Sequence, residues 1–193
     1  KILYLCRKLK DMTFDDITED GRLWAVRYDG DEDNILYSLF DQWNDVAWLR
    51  SFFKANSKDL ESYFKITNIN DAISRTIDDS ERLEAIMMDI SPEANLDLIF
   101  RPLSNSRIAE CLLGKEKARL KNLVGRSSWL RIYAIKLAKG VYVVTGGAIK
   151  LTATMQEREH TAAELAKIEK VRNFLLDEKI IDDESFIEYI AEL

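Results

Sequence analysis

Residues 129–152 read WLRIYAIKLAKGVYVVTGGAIKLT, two runs rich in β-branched and aromatic residues on either side of a short turn. Such runs favour strands, and LAKG between them fits a hairpin loop with Gly140 in the left-handed position. Gly146–Gly147 inside the second run predicts a bulge or a close backbone approach. Basic residues stand along both runs, in a chain whose net charge is −6.

The rest of the chain is organised around this piece of sheet. RLWAVRY (22–28) reads as a strand with Trp24, Val26 and Tyr28 as its buried face. GDEDN (30–34) is a turn leading into apolar residues at helical spacing over 34–55, one helix or two short ones. Helices are also expected over 57–66, capped on Ser57, and over 70–90 with a break near Asp78–Ser80. RIAECLL (107–113) is ambiguous, and ARLKNLV (118–124) alternates as a half-buried strand should. Thr161 and Glu164 fit a capping box opening a helix over about 161–178, and a shorter helix starts near Asp182. The fold class is therefore α+β: a curled antiparallel sheet of about four strands, helices packed on one face, and additional helices in the N-terminal half and at the C-terminus. No linker or repeat divides the 193 residues, so one domain over 1–193 is expected.

Composition excludes several classes. With 47% hydrophobic and 32% charged residues the chain is neither disordered nor fibrous. No apolar run reaches the roughly 18–20 residues that cross a bilayer, so no membrane association is expected. KILYLCRKLKDMTF at the start lacks the order of a signal peptide. Cys6 and Cys111, with His160 as the sole histidine, make no recognisable zinc site. The thiols are expected reduced and mostly buried in a cytoplasmic protein, and neither metal nor cofactor is expected. Charge is distributed unevenly. Residues 101–160 hold twelve Lys/Arg against four acids, a local charge of +8, which leaves sixteen against thirty, −14, elsewhere. An excess of that size attracts polyanions unless the acidic part neutralises it.

These residues resemble a family. FRPL (100–103), ARLKNLVG (118–125), WLRIYAIKL (129–137) and VYVVTGGAIKLT (141–152), with the helix that follows, are similar to the core of the RelE/HigB-type toxins of bacterial toxin–antitoxin pairs, including phage-derived HigB-like proteins. The Arg131–Ile132–Tyr133 triplet and the VYVV…G…IK ending are the better matches, and RLWAVRYDG (22–30) corresponds to the opening strand. The resemblance implies a RelE-like core over 22–56 and 97–178, with 57–96 a helical elaboration and 179–193 a C-terminal helix. It implies a toxin that binds mRNA at the ribosome, cuts it in many members without a metal, and is held inactive by an antitoxin protein.

Cleavage of that kind needs a proton acceptor for the 2′-hydroxyl, cations for the phosphorane and an acid for the leaving oxygen. By position, Arg131 matches the family's phosphate-contacting arginine and Lys150 its strand-end basic residue, with His160 the candidate acid or base. Arg119, Lys121, Arg126 and Lys136 make up the RNA-binding set. Each has a second reading. Arg131 could pair structurally with an acid, Lys150 could blunt a sheet edge, Arg119 and Lys121 could face solvent, and His160 could be an exposed residue ahead of a helix. The family's nucleases often place a tyrosine or histidine close after the last strand, whereas TATMQEREH and two helices follow here. A non-catalytic binding or interaction protein on the same scaffold, its acidic half covering the basic face, therefore stands beside the toxin reading.

Overall fold

The structure, a computed structural model, describes residues 12–103, 113–120, 126–137 and 140–192. Its centre is the expected hairpin, β5 (Leu130–Lys136) paired antiparallel with β6 (Tyr142–Ile149). Gly140 adopts a left-handed φ of 82°, as the turn requires. The register slips between Tyr133 and Ala134, which face Gly146 and Val144, so Thr145 is the extra residue of a bulge.

Side chains alternate across this hairpin, and both sides are covered. Leu130, Ile132, Ala134, Tyr142, Val144 and Ile149 join one core, while Tyr133, Ile135, Val143 and Ala148 join another. Burial on two faces explains the near-continuous apolar runs, which a one-sided sheet would have interrupted. Around the hairpin the sheet has six strands in the order β1-β2-β6-β5-β4-β3, with β1 Met12–Asp16, β2 Leu23–Tyr28, β3 Phe100–Pro102 and β4 Gly114–Ala118. All pairs are antiparallel except β2 with β6.

Helices α1 (Ile35–Asn44), α2 (Val46–Ala55), α3 (Ser57–Phe64) and α4 (Ile69–Met88) cover the first face. Asp45 separates α1 from α2: its extended backbone ends the first, and its carboxylate accepts from the N–H groups of Ala47 and Trp48 to start the second. Trp43, Leu49, Phe53, Leu60, Leu83 and Met87 carry the apolar sides of these helices into the core, each burial contributing roughly 1.5–3 kcal/mol. On the second face α5 (Glu159–Asp177) lays Ile168, Val171 and Leu175 against Tyr133, Ile135 and Val143, and α6 (Asp183–Ala191) adds Phe186, edge-on to Phe14 and Trp24. No helix among the described residues is long and apolar enough to cross a membrane.

Several expectations are corrected. The sheet is mixed and six-stranded, because MTFDD and FRP are too short and too polar to read as strands. Helices lie on both faces rather than one, so Leu23 and Ala25 are as buried as Val26. The strand expected over 118–124 ends at Ala118, and its pairing with β5 begins at Gly114. Helix α4 runs unbroken through Asp78–Ser80, Asn56 rather than Ser57 precedes α3, and Thr161–Glu164 is no capping box because α5 has already begun at Glu159. Cys6, Cys111, Lys121 and most of RIAECLL lie outside the described residues.

Two outcomes follow from this packing. A Cβ on Gly147 would stand 2.7 Å from the Arg131 carbonyl oxygen and 2.7 Å from Leu39, so Gly147→Ala should lower stability by about 1–3 kcal/mol in denaturant unfolding. Glu116, buried on β4 opposite Ala134, has its carboxyl pKa pushed up to about 7, by burial first, with Lys136 opposing and Asp97 adding. A carboxyl raised in the folded state adds stability below its unfolded pKa and loses it as pH rises towards 7. Glu116→Gln should therefore gain on the wild type between pH 5 and pH 8, by roughly 2 kcal/mol, in paired thermal melts.

Candidate anion-binding face

The register of the sheet gathers basic residues on the face that carries α5. Arg101 on β3 stands opposite Lys117 on β4, Lys117 opposite Tyr133 on β5, and Tyr133 opposite Gly146. Next along the strands, Arg119 follows the last β4–β5 pair, Ala118 with Ile132, and so comes beside Arg131, itself opposite Ala148. Lys150 stands just past β6, its N–H donating to the Trp129 carbonyl at 2.8 Å. Arg101, Lys117, Arg119, Arg131 and Lys150 are all half-buried.

None of these five cations has a carboxylate at ion-pair distance among the described residues. Their visible partners are backbone carbonyls. Lys117 Nζ donates to Leu103 at 2.8 Å, Arg131 Nη1 to Ser128 at 2.7 Å and Leu130 at 2.6 Å, and Lys150 Nζ to Thr152 at 2.6 Å and Ala153 at 2.5 Å. Burial pulls the Lys117 pKa down, and Arg101, Arg131, Arg119 and Lys150 each pull it further. Arg131 is brought down to about 10 by burial, then by Arg119 and Arg101. Arg101 is lowered by burial and Arg119, and Lys150 by burial and Arg131, with Glu157 opposing. These basic groups are held close together against their mutual repulsion. Such an arrangement is relieved by an anion.

The other basic residues behave differently. Arg126 makes a two-pronged bond to the fully buried Asp79, at 2.8 and 2.6 Å, and its pKa rises. Arg158 does the same with Asp59, and Lys136 Nζ meets Asp97 at 2.8 Å. These partners come from the acidic N-terminal half and the turn before β3. The expected set is thus divided: Arg119, Arg131 and Lys150 are brought together, whereas Arg126 and Lys136 sit elsewhere in ion pairs. His160 stands at the start of α5 with Nε2 3.0 Å from the Ile149 carbonyl and its ring edge-on to Phe52. A carbonyl only accepts, so that nitrogen carries the proton and is occupied.

Sequence reasoning missed Arg101, Lys117, Tyr133 and Glu164. Arg101 and Lys117 belong to the strands that were too short or misplaced. Tyr133 shares a face with Arg131 by simple alternation, a signal that was present. Glu164 looks in sequence like the closing residue of a capping box. Instead it is buried over Gly146, where a Cβ would meet Glu164 Oε2 at 1.9 Å, and its Oε1 accepts from Lys167 at 2.7 Å. The bulge expected at Gly146–Gly147 lies just before them, and the close backbone approach is that of the Arg131 carbonyl to Gly147. Burial raises the Glu164 pKa, against Lys167 and the Gly147 backbone N–H.

Among the described residues no group of three or more His, Cys, Asp or Glu gathers as a metal site. A depression of about 200 Å³ lies at the far edge of the sheet, lined by Met12, Thr13 and residues 27–31, away from the cations. Compared with known protein families, curated proteins and solved structures, the chain matches none.

Inorganic phosphate should raise the thermal midpoint of the wild type. A site filled at 100 times its dissociation constant contributes about 2.7 kcal/mol, and Arg131→Gln should lose most of that gain.

Proposed function

We propose that this chain is a RelE/HigB-type toxin-like protein that grips the phosphodiester backbone of mRNA at the ribosome. The observation that supports the reading is the set Arg101, Lys117, Arg119, Arg131 and Lys150, repelling one another on one sheet face with no carboxylate partner among the described residues. Arginine suits the task because its planar fork holds two phosphate oxygens and stays charged. Within this reading β2, β6, β5 and β4 are the toxin-like core, β1 and β3 are edge additions, and α1–α4 are a helical elaboration. An antitoxin partner and a cytoplasmic setting belong to the same proposal.

In its cleaving form, a ribose 2′-hydroxyl attacks the adjacent phosphorus, a 2′,3′-cyclic phosphate forms, and the 5′-oxygen of the next nucleotide leaves with a proton. Arg131 and Lys150 would hold the phosphorane charge. The His160 ring stands edge-on to Phe52, a residue of the core under α1–α4, rather than among the cations. That observation favours a second reading in which RNA is held but not cut. The acidic half neutralises Arg126, Lys136 and Arg158 while packing on the opposite face of the sheet from the five cations, so the gripping surface is common to both readings.

The test is binding of single-stranded RNA, followed by anisotropy between 50 and 200 mM salt and by gel for cleavage. Arg131→Ala with Lys150→Ala should weaken binding at least tenfold and lower the salt slope by about 0.7 per lost phosphate contact. Lys136→Ala should leave the slope unchanged. Expression of the wild type should arrest bacterial growth and the double variant should not. A wild-type protein that neither binds nor cuts RNA ends the proposal.

A further inference from the structure

Unpaired positive charge on the α5 face is confined to one block. On β4, Lys115 and Lys117 lie opposite Ile135 and Tyr133 and share their face. Lys115 Nζ is bonded to Glu169 on α5. Lys117 and Arg119, further along, meet no carboxylate at ion-pair distance among the described residues. Arg101 stands one strand away from Lys117, and Arg131 one strand away from Arg119, about 5 Å in each case, with the two rows about 7 Å apart. Arg101, Arg131 and Arg119 all act on Lys117 electrostatically. Arg101 Nε and Arg119 Nε have no hydrogen-bond partner among the described residues, which therefore leave both planar forks incompletely used.

Carboxylates from α5 bound the block. Glu169 neutralises Lys115 at one end of the β4 row, and Glu164 accepts from Lys167 at 2.7 Å over Gly146, two strands from Lys117. A polynucleotide held along its length needs a cationic groove that tracks its backbone. Here the free charge is two ladder rungs deep and three strands wide, and acids stand beyond it on the α5 side. A compact anion of higher charge suits such a block better. A phosphodiester within a strand carries one charge and offers two free oxygens. A phosphate monoester at a strand end carries about 1.5–2 charges at pH 7 and offers three acceptor oxygens. Arginine forks arriving from neighbouring strands, each able to take a pair of oxygens, are better matched by three than by two.

We propose that Arg101, Lys117, Arg119 and Arg131 form a receptor for a terminal phosphate, and that the face holds RNA by a phosphorylated strand end in preference to its internal phosphodiesters. The proposal rests on the RNA-gripping reading for the polymer but not for the phosphate.

The experiment uses the full chain and three RNA oligonucleotides of one sequence, labelled on an internal base, with hydroxyl ends, a 5′-phosphate or a 3′-phosphate. At one salt concentration the wild type should bind one phosphorylated strand at least tenfold more tightly than the hydroxyl-ended strand. That advantage should shrink between pH 8 and pH 5.5, as the terminal phosphate takes up its second proton at a pKa of about 6. Arg101→Ala and Arg119→Ala should abolish the advantage, and Lys115→Ala, at a position already paired with Glu169, should keep it. Thermal melts establish that each variant is folded, and either arginine variant suffices if the other is not. Adenosine monophosphate that competes as well as the phosphorylated strand keeps the receptor and assigns it to free nucleotides, which removes the polymer. Equal wild-type affinity for all three strands overturns the receptor and leaves the backbone grip, as does an undiminished advantage in a folded Arg101→Ala or Arg119→Ala. Failure to bind any strand, or adenosine monophosphate, overturns both.

Discussion

Pairing of β5 with β6 is the contact on which the other elements depend. It supplies the centre of the sheet, and its alternating side chains supply the middle of both cores. The bulge at Thr145 sets how these two uses coexist. By inserting one residue it lets Val143 and Ala148 share a face although they are five positions apart. It also places two glycines where no side chain fits: Gly147 under Leu39 and Trp43 on one side, Gly146 under Glu164 on the other. The α1 face and the α5 face thus close on the same dipeptide, and neither helix could sit as it does over a larger residue.

The basic face is a consequence of that centre rather than an addition to it. Once β5 is fixed, antiparallel pairing decides which residues of β4 and β3 share the α5 face, and Lys117 and Arg101 follow by register. Half-burying five like charges costs free energy that an apolar or ion-paired design would avoid. Elsewhere in the same chain the ordinary solution is used: Asp79, Asp59 and Asp97 each stand against a basic group. Carboxylates are plentiful in a chain with 34 Asp and Glu, so the lack of an ion-pair partner for these five cations among the described residues is not for want of supply. Function is the usual reason for such local inconsistency.

Legibility followed the strength of local pattern. The hairpin, the left-handed Gly140, the strand at 22–28 and helices α1–α4 could be read from β-branched runs and helical spacing. The edges could not. MTFDD and FRP gain their extended form from neighbours, β1 pairing with β2 and β3 with β4. Parallel pairing of β2 with β6 is likewise invisible locally, because the residues between them carry no trace of which strand they return to. At the site, Arg131, Lys150 and Arg119 were recoverable by type and position. Arg126 and Lys136 resembled them in sequence and differ only in having Asp79 and Asp97 near, a fact of tertiary structure.

The buried pair Tyr133–Glu164 marks the boundary between scaffold and site. A tyrosine in mid-strand and a glutamate in the first turns of a helix are ordinary core and surface choices taken singly. Phenylalanine and leucine at these positions would fill the same space without unpaired atoms, at lower cost. Glu164 is not an accident of a mobile side chain, since Gly146 is shaped to it at a distance no Cβ could occupy and Lys167 holds its other oxygen. A carboxylate fixed that firmly against the sheet, where leucine would pack without unpaired atoms, belongs to neither an ordinary core nor an ordinary surface.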